Sequence, residues 1–80
     1  MTNIGQVVAA RNEIQFDADS VGRGVARKCW NELSGANTQI AMIISGEIRF
    51  SISVAAAIQA SFDRAAKVVA RARSAKEMHA

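Results

Sequence analysis

The sequence predicts an α+β domain: two ββα units forming a four-stranded antiparallel sheet, with two helices on one face and the C-terminal helix long. Three observations lead there. The tetrapeptide Glu-Ile-x-Phe occurs twice, as Glu13-Ile14-Gln15-Phe16 and Glu47-Ile48-Arg49-Phe50, at an offset of 34 residues. Each copy follows a residue that tolerates a left-handed backbone, Asn12 or Gly46. Each precedes a stretch with helical periodicity. Recurrence at a fixed offset marks one small unit used twice, here residues 6–35 and 40–80 of a single domain covering 1–80.

The elements follow in order. Gln6–Ala10 and Glu13–Ala18 are expected to pair as a hairpin around Arg11-Asn12. In the second run Ile14, Phe16 and Ala18 alternate with Glu13, Gln15 and Asp17, the period of a half-buried strand, and Asn supplies the positive φ of a two-residue loop. Asp19-Ser20 then offers an N-cap. Val21, Val25, Cys29 and Leu33 recur every four residues, the apolar face of a helix, and Gly35 fits its left-handed C-cap. Gly22 and Gly24 weaken the first turn, which also admits a later helix start. Thr38–Ile44 and Glu47–Ser53 flank Ser45-Gly46, a hairpin dipeptide. From about Val54 onward, Ala55, Ile58, Phe62, Ala65, Val69 and Ala72 fall on a 3-4 spacing and predict a long helix, capped by Ser51 or Ser53.

One alternative competes. Ala41, Ile44, Ile48, Ala55, Ile58, Phe62, Ala65, Val69 and Ala72 also fit a single heptad seam. In that reading residues 38–78 are one helix, Gly35-Ala36-Asn37 is the turn of an all-α helical hairpin, and two hairpins dimerise into a four-helix bundle.

Composition narrows the functional classes. Eighty residues bury a small core, and Cys29 is the single cysteine, so disulfides add nothing and a reducing cytoplasm is expected. Half the residues are apolar, an excess that a homodimer would bury. The longest apolar run, Ile40 to Ile44, is far below the roughly 20 residues that span a bilayer, and the N-terminus shows no secretory pattern. The net charge is +3. Residues 1–60 carry five basic and five acidic groups, and residues 61–80 carry five basic and two acidic. An anionic partner should therefore prefer the C-terminal segment.

The leading candidate site is the basic stripe Arg64, Lys67 and Arg71 at i, i+3 and i+7, with Arg73 and Lys76 on adjacent faces. Such a stripe can follow a phosphate backbone; its plainer explanation is a solvated face with an Asp63–Lys67 pair. Arg23, Arg27 and Lys28 form a second cluster beside Gly22 and Gly24, an outline of an anion site that lacks the phosphate-loop and dinucleotide spacings. Helices lying side by side would join the two clusters. Trp30 lies off the Val21–Leu33 face and suits a core edge or an interface anchor. Met42 and Ile44 suit an exposed apolar interface. Cys29 is expected in the core rather than activated by Lys28. Asp17 and Asp19 read as cap and turn residues rather than cation ligands. His79 has no second histidine with which to form a triad or a zinc site.

No nucleophile–base pair, carboxylate dyad or cofactor cradle is present, so neither an enzyme nor a bound cofactor is expected. The expectation is a non-enzymatic interaction protein, cytoplasmic and dimeric. It docks on a larger, nucleic-acid-handling complex as inhibitor or regulator, in the manner of mobile-element products such as anti-CRISPR proteins. That expectation comes from size and missing chemistry, with no shared motif behind it. The alternative is a small dimeric basic DNA- or RNA-binding protein. The sequence displays no stacking platform of aromatics to favour it.

Overall fold

A computed structural model of the chain describes residues 3–78, which fold into three helices and contain no strand. Helix α1 runs Ile4–Val21, α2 Arg23–Ile44 and α3 Ile52–Met78. The structure is 88% helical, so the four-stranded α+β sheet is overturned and the all-α class holds.

The first expected hairpin lies inside α1. Asn3 caps it, accepting the Gln6 N–H at 2.9 Å through its side-chain oxygen; Asn-x-x-Gln is the spacing of a capping box. Val7, Ile14, Ala18 and Val21 line its inner face at heptad spacing, and the period-two run around Phe16 is a local coincidence within it. Asp19 and Ser20 do not cap a second helix. They lie in the last turn of α1, where the Ser20 hydroxyl donates to the Asp17 carbonyl at 2.6 Å.

Gly22 alone separates α1 from α2. Its backbone is almost fully extended (φ 158°, ψ 168°), its N–H donates to Ala18 O at 3.3 Å, and its carbonyl accepts from Ala26 N–H at 2.9 Å. One residue therefore closes one helix and opens the next. The two helices run antiparallel: Gln15 Nε2 reaches the Ala26 carbonyl (3.4 Å) and Arg11 Nη1 reaches Asn37 Oδ1 (3.5 Å). Helix α2 passes straight through Gly35, the expected C-cap and the expected hairpin turn, and ends nine residues further on, at Ile44.

Its end is a Schellman turn at the second expected hairpin. Gly46 N–H donates to Ile43 O (3.1 Å) and Glu47 N–H to Met42 O (2.9 Å), with Gly46 at φ 82°; these two bonds define the motif. A positive-φ glycine is common to a tight hairpin and to a helix C-cap, so Ser45-Gly46 signals either. The break also corrects the alternative reading, because residues 38–78 are two helices. Ile44, assigned to its seam, is 65% exposed. After the connector, Ser51 caps α3 by accepting Val54 N–H at 3.3 Å.

Helix α3 returns antiparallel to α2 and parallel to α1, as contacts of Ser61 with Glu32 and of Arg73 with Ser20 require. Cys29, Leu33, Ala36 and Ile40 of α2 meet Ile58, Phe62, Ala65 and Val69 of α3, with Val7 and Ala18 of α1 closing the core. Phe50 of the connector packs on its edge. Each fully buried aliphatic contributes about 1.5–3 kcal/mol.

Two outcomes follow for stability. A Cβ on Gly46 meets nothing within 4 Å, so Gly46→Ala should cost only the left-handed backbone penalty, about 1–2 kcal/mol, read from urea midpoints, with Gly46→Asn milder. Ile58→Ala should remove about 2–5 kcal/mol, comparable with the whole stability of so small a core, and circular dichroism at 25 °C should show a largely unfolded chain.

Candidate functional site

The two predicted basic clusters meet where α2 starts and α3 ends. An open groove of about 500 Å³ runs between these helices, lined by Gly24, Val25 and Lys28 from α2 and Val68, Arg71 and Ala72 from α3. Its floor is apolar and small. Its rim is cationic, Lys28 on one wall and Arg71 on the other. Neither side chain makes a hydrogen bond or ion pair among the described residues. Gly22, the N-cap of α2, provides no side-chain cap, so the first amides of α2 add positive potential near the groove.

The remaining predicted cations divide by partner. Arg64 Nε sits 3.3 Å from Glu32 Oε2 across the same α2–α3 seam. Both groups are about half exposed, so the pair contributes at most about 1 kcal/mol. Arg73 turns to the other side of α3, donating to Ser20 Oγ at 3.1 Å and lying 4.0 Å from Asp17 Oδ1. Lys76 lines a smaller cleft with Ser20, Val21, Arg73 and Glu77. Lys67 is exposed and unengaged; its expected partner Asp63 instead accepts from Gln59 Nε2 at 3.0 Å. Arg23 and Arg27 are exposed on α2 without partners among the described residues. The sequence stripe Arg64–Lys67–Arg71 is thus split: Arg64 is neutralised, Arg71 faces Lys28, and Arg73 belongs to the α1 side.

Of the three predicted interface residues, Trp30 is 54% exposed, Ile44 is exposed at the end of α2, and Met42 is half-buried on α2 rather than on a strand. Sequence reasoning missed Phe16, assigned to a sheet and found 74% exposed on α1, and Ile52, 92% exposed at the start of α3. A helical wheel of α1 would have found Phe16, which lies about 180° from the Val7–Ala18 face.

Among the described residues no three His, Cys, Asp or Glu side chains gather to hold a metal ion, and no helix is long and apolar enough to cross a membrane. His79 lies outside the described residues. Cys29 is fully buried between Val25 and Leu33, as its periodicity predicts. Burial first, and then the charge of Asp19, push its thiol above the ordinary value of 9.0.

No protein-family model, curated protein or solved structure matches the chain. The functional reading rests on the chemistry of these surfaces.

The thiol gives a testable consequence. The folded state holds the Cys29 proton more tightly than the unfolded chain. The stability it contributes is complete below the unfolded value and is lost as pH rises through the folded one. Urea titrations should show a loss of stability above about pH 9 that Cys29→Ala, though less stable at neutral pH, lacks. Thiol-reactive dye should label Cys29 slowly in buffer and at once in urea.

Proposed function

We propose that this protein is a non-enzymatic interaction module that docks through its α2–α3 face on a larger, nucleic-acid-handling complex, as an inhibitor or regulator. The observation that carries this reading is the groove with Lys28 and Arg71 on opposite walls. Two unengaged cations over a floor of Gly24, Val25, Val68 and Ala72 suit an acidic segment of a partner. Its carboxylates would reach the rim while one apolar side chain covers the floor. Charged rims of this kind raise association rates and select partners of opposite sign. Blocking a complex by covering a surface, as anti-CRISPR proteins do, asks for this kind of face and no catalytic group.

A cytoplasmic location suits the reduced, buried thiol. A homodimer is part of the same reading. Ile44 and Ile52 are exposed at the connector end of the bundle, although two isoleucines supply far less than the roughly 1,200 Å² of a stable interface. Association is therefore weak and appears only at high concentration; light scattering that gives a monomer mass at every dilution would remove it.

The docking test uses tagged wild-type protein and Lys28→Gln/Arg71→Gln as baits in nuclease-treated extract of the native host. Quantitative mass spectrometry should recover a subunit of a nucleic-acid-handling complex with the wild type. The double variant, folded by circular dichroism, should recover about tenfold less, the equivalent of about 1.4 kcal/mol. Equal recovery by both baits would overturn the assignment to this groove.

A further inference from the structure

We propose that the outer face formed by α1 and α2 binds a single-stranded segment of nucleic acid. Bases would stack on Trp30 and Phe16 while phosphates meet Arg23 and Arg27. This surface is distinct from the α2–α3 groove and does not depend on the docking reading. Lys28 lies about 160° from Trp30 around α2, so the two faces point apart.

The first support is where the aromatics went. The chain has four, one Trp and three Phe. Phe62 is buried and Phe50 packs on the core edge, whereas Trp30 and Phe16 leave 54% and 74% of their surface in water. Leaving so much of these rings in water forgoes part of the burial they could supply, in a domain with little stability to spare.

The second support is their placement. Gln15 bonds to the Ala26 carbonyl at 3.4 Å; Phe16 adjoins Gln15, and Trp30 is one turn beyond Ala26. The charge of Asp19 is felt at Cys29, the neighbour of Trp30. Along the antiparallel pair the first pairing sets the two aromatics about 7.5 Å apart in level and the second about 3 Å, so both rings fall within two turns of one another. Their positions on the wheels of α1 and α2 both turn away from α3.

The third support is charge. Arg23, Arg27 and Trp30 stand at i, i+4 and i+7, one line along α2 spanning about 10 Å. Both guanidinium groups are unengaged among the described residues. Two acids flank Phe16 on α1, Glu13 at i−3 and Asp19 at i+3; Asp19 accepts from Gln15 Nε2 at 3.0 Å, and the cations of this face come from α2. Flat apolar faces beside guanidinium groups match the repeating chemistry of an unpaired strand, which alternates base and phosphate. Stacking of this type tolerates any sequence, because every base has a π-face. A duplex buries its base faces and offers only its backbone, so the aromatics argue for a single strand.

Because Trp30 is the only tryptophan, its emission is a direct reporter. Titration with oligothymidylate of roughly 12 nucleotides at low salt should quench it saturably. Two neutralised phosphates predict a log–log salt slope near about −1.4. Arg23→Gln/Arg27→Gln should weaken binding about tenfold, and Phe16→Ala severalfold, each variant folded by circular dichroism. Lys28→Gln/Arg71→Gln should leave binding unchanged. Absence of saturable quenching would overturn the proposal, as would equal binding of an abasic phosphodiester oligomer or of a duplex. Displacement of the oligonucleotide by polyglutamate at equal charge would show a surface for acidic protein and overturn it too.

Discussion

The way α2 ends sets everything downstream of it. The apolar spacing from Ala41 through Ala72 can sustain one unbroken helix over residues 38–78, and such a rod would have no interior of its own. Gly46 prevents this. At φ 82° it lets the Gly46 and Glu47 amides fold back on Ile43 and Met42, and Ser51 then starts α3 in the reverse direction. Ile58, Phe62, Ala65 and Val69 are thereby returned against Ile40, Ala36, Leu33 and Cys29. An intramolecular core replaces the intermolecular one that an unbroken helix would need.

The same residue shows why helix and strand were confused. Glycine at positive φ closes a two-residue hairpin and also terminates a helix, because both reverse the chain by the same backbone torsion. The ambiguity had to be settled by the flanks, and those were read too locally. Ile14, Phe16 and Ala18 alternate over five residues, but Val7, Ile14, Ala18 and Val21 hold a helical period over fifteen. The longer pattern carries more buried area, so it won, and Phe16 was turned outward. The two Glu-Ile-x-Phe copies consequently have different structures, one within α1 and one in the connector. By contrast Val25–Cys29–Leu33, recurring every four residues, and Ile58–Phe62–Ala65–Val69, on a 3-4 spacing, are legible because no alternation competes with either. Gly35 was misread because a glycine inside a helix costs only about 1 kcal/mol, which the buried Leu33, Ala36 and Ile40 around it outweigh.

The charged surface was legible by residue and not by grouping. Every proposed cation is exposed, the paired Arg64 and Arg73 included. Spacing along α3 could not reveal that Arg64 would find Glu32 of another helix, nor that Arg71 would stand across a groove from Lys28. Those relations are set by which level of α2 faces which level of α3, a consequence of the connector length and the Schellman turn. Two separate polar crossings help fix the other pairing. Arg11, Gln15 and Asn37 bond across α1 and α2, and Gln15 Oε1 and Asn37 Nδ2 remain buried without partners. An unmet buried group costs about 1–3 kcal/mol, and an apolar layer would avoid that cost. Such a layer would also let α1 slide by a turn on α2, since Val7, Ile14 and Ala18 are similar enough to exchange places.

That register matters for function more than for stability. Sliding α1 by one turn would move Phe16 about 5 Å along α2 relative to Trp30, and would shift the Arg73 contact with Ser20. The basic α2–α3 groove would survive such a shift, because none of its lining comes from α1. The two faces therefore depend on different parts of the fold: one on the turn at Gly46, the other on the polar crossings of Gln15 with Ala26 and Arg11 with Asn37. Helix α2 is the wall they share, with Lys28 on one side and Arg23, Arg27 and Trp30 on the other. A ligand on either face adds negative charge about one helix diameter, roughly 10 Å, from the other set of cations. The two sites should accordingly oppose one another weakly when both occupants are anionic, and more so at low salt where screening is least.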